Sequence, residues 1–150
     1  MTTDTASEPA RILLIEDNTT DAFLIRLALD REQFPYKLTT LDDGAQALAF
    51  VRRKGDAHST QPDLIVMDLH LPKHDGIEIL GAIRESVDFF RVPVVILSSS
   101  PSPREKNSIV ALKAVCFVAK PFNLGEFFNL GSRIKELVLA GRNRRARAAP

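Results

Sequence analysis

Two kinds of apolar pattern alternate along the chain. Short runs read as β-strands: "RILLIE" (11–16), "YKLTTL" (36–41), "DLIVMD" (63–68), "VPVVILS" (92–98) and "AVCFVA" (114–119). Three of them are almost continuously apolar, which is expected of strands covered on both faces. The segments between them carry helical spacing. "TDAFLIRLALDRE" places Phe23, Leu24, Leu27 and Ala28 on one stripe, and "GAQALAFVRRK" does the same with Ala45, Leu48 and Ala49. "DGIEILGAIRES" offers Ile77, Leu80 and Ile83 or their neighbours. A helix start is written out at Ser102, with Pro103 at the first helical position and Glu105 completing a capping box. The last helix is expected from about Asn123 to about Ala140, where Gly141 offers a stop.

Five strand-then-helix units in succession predict an α/β fold, a doubly wound five-stranded parallel sheet with helices on both faces. Ligands in such folds sit at the carboxyl ends of the strands, near a switch point. The residues just after each strand are therefore the ones to inspect. Glu16-Asp17 end the first strand, Asp68 the third, Ser98-Ser99-Ser100 the fourth and Lys120-Pro121 the fifth. The second runs into Asp42-Asp43-Gly44, which reads as the cap of the next helix.

If the strand order is 2-1-3-4-5, the ends of strands 1, 3, 4 and 5 form one cleft. Three carboxylates there repel one another and need a counter-charge. Oxygen ligands in that number suit a hard divalent cation such as Mg²⁺. Lys120 adds a fixed positive charge, so the cleft suits a phosphoryl group, with an aspartate as the nucleophile that receives it. Ser98 is placed to donate one hydrogen bond during transfer.

Plainer readings exist for each residue. Asp68 alone would pass for a capping residue after a strand, and Glu16-Asp17 for the cap of a helix starting at Asn18 or Thr19. His70 and His74 flank Pro72, so they do not share a helical face and read as loop residues. Cys116 reads as a small buried side chain. It is the only cysteine, so no internal disulfide is available. What favours chemistry at the strand ends is the whole ordered set.

That set, Glu16-Asp17 with "LIVMDLHLPKHDG", "PVVILSSS" and "FVAKPF", resembles the receiver domain of two-component response regulators over residues 10–140. The resemblance implies a flavodoxin-like (βα)5 fold with strand order 2-1-3-4-5. It implies that Asp68 is the phosphoacceptor and that Mg²⁺ is held by Glu16, Asp17, Asp68 and the backbone carbonyl of His70. It makes Ser98 the switch hydroxyl, Lys120 the phosphate-pairing lysine and Phe117 the switch aromatic, and it implies a cis Lys120–Pro121 bond. The partner it implies is a sensor histidine kinase. "IEDNTTDAFLIRLAL", "QPDLIVMDLHLPKHDG", "RVPVVILSSS" and "KPFNLGEFF" resemble in particular the stand-alone regulators that serve bacterial phytochromes and related kinases. A homodimer through the face of the fourth helix, fifth strand and fifth helix is a further expectation, since the last helix is apolar over more than one stripe.

Charge and composition narrow the picture. A net charge of +1 over 150 residues gives no general pull towards nucleic acid or anionic lipid. No apolar run approaches bilayer length, and the polar start has no signal-peptide pattern, so a cytoplasmic protein is expected. Residues 1–9 are expected to be disordered and residues 141–150, "GRNRRARAAP", to be a solvated basic tail. With about ten residues after the last helix, no DNA-binding output domain is expected, and no Gly-rich phosphate loop or kinase signature is present. The expectation is a signalling protein that catalyses only its own phosphotransfer and dephosphorylation. Two other readings compete. One is a Mg²⁺-dependent phosphatase, which would typically carry a second aspartate where His70 stands. The other is an interaction module that is never phosphorylated.

Overall fold

A computed structural model describes residues 8–53, 61–114 and 116–148. Strands β1 (Ala10–Ile15), β2 (Tyr36–Leu41), β3 (Leu64–Asp68), β4 (Val94–Ser98) and β5 (Cys116–Ala119) alternate with helices α1 (Thr19–Arg31), α2 (Gly44–Arg52), α3 (Gly76–Glu85), α4 (Pro103–Ala111) and α5 (Leu124–Ala148). The strands form one sheet in the order β2-β1-β3-β4-β5, parallel throughout. This is the expected doubly wound architecture.

The alternation of side chains along each strand divides the core in two. Leu13, Ile15, Ile65, Met67, Val94 and Ile96 face one way and pack with residues of α2, α3 and α4. Ile12, Leu14, Leu64, Val66, Val95 and Leu97 face the other way and pack with α1 and α5. Both faces of β3 and β4 are fully covered, which is why these strands read as unbroken apolar runs. Each fully buried aliphatic side chain contributes roughly 1.5–3 kcal/mol.

Local chemistry sets the helix starts. Asn18, Asp43, Asp75 and Ser102 are the N-caps of α1 to α4, each accepting from a backbone N–H of the first turn. The capping box of Ser102 and Glu105, with Pro103, forms as the sequence predicts. Since Asn18 is the cap of α1, Glu16 and Asp17 are free of that duty.

Three expectations need correction. On α1 the buried residues are Ile25, Ala28 and Leu29, while Phe23 is 62% exposed and Leu27 is also exposed. Apolar residues occupy most positions from 22 to 29, so spacing alone permits more than one buried stripe. Packing against α5 chooses between them. On α2 the buried face is Gly44, Ala47, Leu48 and Val51 rather than Ala45 and Ala49.

The last helix also passes Gly141 and continues to Ala148. An interior glycine costs a helix only about 1 kcal/mol, and the Arg and Ala residues beyond it are good helix formers. Arg142 gives this extension an anchor: its guanidinium donates to the Glu8 carbonyl (2.6 Å) and the Pro9 carbonyl (2.9 Å) and meets Asp63 at 3.2 Å. Glu8 and Pro9 are thereby held as well. Residues 1–7, and the side chains of Arg144, Arg145 and Arg147, lie outside those described.

Candidate functional site

Sheet geometry delivers four chain segments to one edge. Glu16 follows β1, Asp68 ends β3, Ser98 ends β4 and Lys120 follows β5. Three of these side chains are almost wholly enclosed: Glu16 is 2%, Asp68 4% and Ser98 1% exposed. Buried charge of this kind must be paired, and Lys120 pairs it. The Nζ atom lies 2.8 Å from Asp68 Oδ2, 3.0 Å from Glu16 Oε1 and 3.1 Å from Asp21 Oδ2. The other oxygen of Asp68 accepts the backbone N–H of His70 at 3.0 Å.

Three carboxyl groups around one ammonium leave an excess of negative charge. The protonation equilibria respond. Burial first, then its contact with Asp68, pushes the Glu16 carboxyl well above the ordinary carboxylate range, although Lys120 pulls the other way. Burial works against the Lys120 ammonium, but hydrogen bonds to Asp68, Glu16 and Asp21 outweigh it and hold its pKa above the usual value. Lys120 is thus a fixed cation throughout the physiological range.

Two buried polar atoms here have no hydrogen-bond partner: Glu16 Oε2 and Ser98 Oγ. Beside them the exposed Asp17 opens the cluster to solvent, and one carboxylate oxygen from each of Glu16, Asp17 and Asp68 lies within 4.8 Å of the others. An all-oxygen donor set with an unpartnered carboxylate oxygen fits a hard divalent cation, which would also lower the cost of gathering these charges.

The loop from β3 to α3 is shaped by close backbone packing. His70 and Asp75 form an isolated bridge, and a Cβ on Gly76 would stand 2.4 Å from the Leu69 carbonyl oxygen, so only glycine fits. This turn keeps the His70 amide on Asp68. The His70 ring points across to α4, with Nε2 3.1 Å from Glu105 Oε2. Phe117 sits on β5 beside Ile96 and is 38% exposed.

The structure therefore gathers Glu16, Asp17, Asp68, Ser98 and Lys120 in one cleft, with His70 at its rim. Phe117 lies two residues along β5 from Ala119, the register partner of Ser98. The Lys120–Pro121 bond is trans, contrary to expectation. The two isomers of an X–Pro bond differ little in free energy, and Lys120 makes all its contacts with the trans one. Asp21 was missed as a site residue. Its signal lay in its place: the first turn of a helix that starts beside the cleft, three residues after the Asn18 cap.

A buried aspartate at a strand end, facing a lysine and an acidic pair at the edge of a (βα)5 sheet, defines the receiver class of signalling proteins. Residues 12–130 match the model of the response regulator receiver domain, and the chain belongs to that family. It is 34% identical over 137 residues to the response regulator Rcp1 of Synechocystis, covering 91% of this chain and 93% of Rcp1. Among solved structures it is similar to the phosphorylated cyanobacterial phytochrome response regulator RcpA, at 37% identity and a TM-score of 0.78, over 88% of this chain and 95% of that one. It is also similar to the Mn²⁺-bound form of Rcp1, at 35% identity and a TM-score of 0.75, over 85% and 92% of the two chains. Among the described residues, no helix is long and apolar enough to cross a membrane.

Proposed function

We propose that this protein is a stand-alone response regulator of the cytoplasm that accepts a phosphoryl group on Asp68 from the phosphohistidine of a sensor kinase. In the transfer, a carboxylate oxygen of Asp68 bonds to phosphorus. The N–P bond of the donor breaks, and its electron pair stays with the departing imidazole. Lys120 holds the Asp68 carboxylate in place and offsets charge on the phosphoryl oxygens. Glu16, Asp17, Asp68 and the His70 carbonyl would hold Mg²⁺, which when bound neutralises charge on the transferred group. Ser98 Oγ, buried and unpartnered, is free to turn towards the phosphoryl oxygen.

The observation that carries this reading is the 2.8 Å pairing of Asp68 with Lys120 inside an acidic cleft that fits a divalent cation. The position two residues after Asp68 is His70, where a turnover phosphatase would typically carry a second aspartate as general acid. Signalling would follow from a two-state change around α4 and β5, with Phe117 turning inward as Ser98 moves. The half-exposed Phe117 and the 77% exposed Val110 give that face an apolar element suited to a second copy of the chain. The resemblance to RcpA and Rcp1 supports a phytochrome-type kinase as the donor.

Intact-mass measurement with acetyl phosphate and Mg²⁺, repeated with a purified kinase of this class, tests the acceptor. One added phosphoryl group is expected, absent in Asp68→Asn and absent when Mg²⁺ is chelated. Equal labelling of the Asp68→Asn variant would sink the assignment.

A further inference from the structure

α4 is held to the rest of the molecule by little apolar contact. Ile109 is its one buried residue. Its position is set instead by polar tethers at its two ends, and both tethers come from the segment that follows Asp68.

At the C-terminal end the tether is Arg84, from the last turn of α3. Its Nε donates to the Leu112 carbonyl (2.7 Å) and Nη2 to the Lys113 carbonyl (2.9 Å). Nη1 donates to the Val92 carbonyl (2.8 Å) and the Phe90 carbonyl (3.2 Å). One part-buried guanidinium thus ties the end of α4 to the turn that leads into β4. Cationic donors suit the carbonyl end of a helix, and hydrogen bonds from a charged group are the strong ones.

At the N-terminal end the tether is the Glu105–His70 contact of 3.1 Å. Glu105 also closes the helix cap. Its Oε1 accepts the Ser102 N–H (2.8 Å), while Ser102 Oγ accepts the Glu105 N–H (3.1 Å). Ser102 lies four residues after Ser98, at the end of the loop that the Ser98 hydroxyl would pull. His70 is likewise tied twice, by its amide to Asp68 and by its ring to Glu105. The His70 side chain is 54% exposed, so this bridge is weak and can open, whereas the Arg84 clamp is multiply bonded and part-buried.

We propose that α4 is a hinged arm. Arg84 is the hinge, and the Glu105–His70 bridge is the latch that holds the N-terminal turn at the rim of the Asp68 cleft until the cleft is charged. The inference rests on the reading of Asp68 as phosphoacceptor. When a phosphoryl group draws Ser98 inward, the loop pulls on Ser102, the capping box carries the pull to Glu105, and the latch parts while the far end stays in place.

Hydrogen exchange read by mass spectrometry on the full chain tests it, with Asp68 labelling followed by intact mass in the same samples. His70→Ala keeps the capping box and removes the latch. Without phosphate, it should speed exchange in the first turn of α4 by about two- to five-fold and leave residues 112–114 unchanged. Arg84→Lys, with Arg84→Met as the stronger variant, should do the reverse, by at least about tenfold at residues 112–114. Phosphorylated wild type should reproduce the His70→Ala pattern. Loosening of both ends alike, or an unchanged first turn in His70→Ala, overturns the hinge while leaving the acceptor intact. Labelling with no change at α4 overturns the coupling alone. A wild type that takes no label from acetyl phosphate or kinase overturns the reading of Asp68, and the coupling with it.

Discussion

Two helices beside the sheet, α5 and α4, are held on different terms. On one side α5 lies against α1 so closely that a Cβ on Gly131 would come within 2.8 Å of the Ala28 carbonyl oxygen. Phe127, Leu130, Ile134 and Val138 are buried there, Arg31 stacks over Phe128 at 4.1 Å, and Ser132 and Lys135 both hydrogen-bond Glu32. On the other side, α4 buries only Ile109, and β5 is four residues long and partly exposed along its length. The Asp68 cleft lies between them. α5 resists displacement because many apolar atoms would lose contact; α4, apart from Ile109, is held by a few polar bonds that can exchange partners at small cost, although α2 and α3 on the same face are well packed. Of the two helices, α4 is the one that a change in the cleft would displace at smaller cost.

Core truncations test this asymmetry most strongly. Ile134→Ala removes a fully buried side chain from the α1–α5 flank, and a loss of about 4 kcal/mol is expected. Ile109→Ala, on α4, should cost nearer to about 2 kcal/mol because its thin surroundings can collapse into the space. Urea denaturation of both variants gives the difference. Equal costs would mean that α4 is as firmly packed as α5, and the contrast would fail.

Divalent metal comes next in size. At a free Mg²⁺ concentration one hundred times its dissociation constant, binding to the folded state alone adds about 2.7 kcal/mol. For a chain of this length that raises the melting temperature by roughly 5–10 °C. Asp17→Asn should lose most of the increment without lowering the metal-free stability much, since Asp17 is exposed and Glu16 and Asp68 keep their lysine. A metal-dependent shift that survives in Asp17→Asn would place the ion elsewhere.

The same contrast explains how far the sequence could be read. The strands were legible because β3 and β4 are apolar on both faces, a pattern with few other uses. The cleft was legible because Glu16, Asp68, Ser98 and Lys120 each fall at a strand end, where the fold dictates convergence. The rotation of α1 was not. Its apolar residues allow several stripes, and only the close approach of Gly131 to Ala28, more than a hundred residues away in sequence, selects Ile25, Ala28 and Leu29. Asp21 escaped notice for a related reason: a carboxylate in a first turn satisfies the helix dipole, and its contact with Lys120 is a tertiary fact. Local propensity permits α5 to continue past Gly141, and the contacts of Arg142 with the Glu8 and Pro9 carbonyls, which anchor the extension, are tertiary facts that the sequence does not display.

Ser98 stands at the boundary between the two flanks and offers the smallest effect on stability. Its hydroxyl is buried and has no partner, so the resting protein carries an uncompensated polar group at the end of β4. Replacing it by alanine removes that group and little volume. Ser98→Ala is therefore expected to leave stability unchanged or to raise it by up to about 1 kcal/mol. A cost above about 1 kcal/mol would show instead that the hydroxyl is bonded in the resting state. The variant should still take a phosphoryl group on Asp68, more slowly, because Lys120 and the acidic cluster remain. What it should lose is the response of α4 to phosphorylation, measured as hydrogen exchange in residues 102–106. Loss of that response with stability retained would assign Ser98 to the proposed switch; a response that survives in Ser98→Ala would remove it from that role.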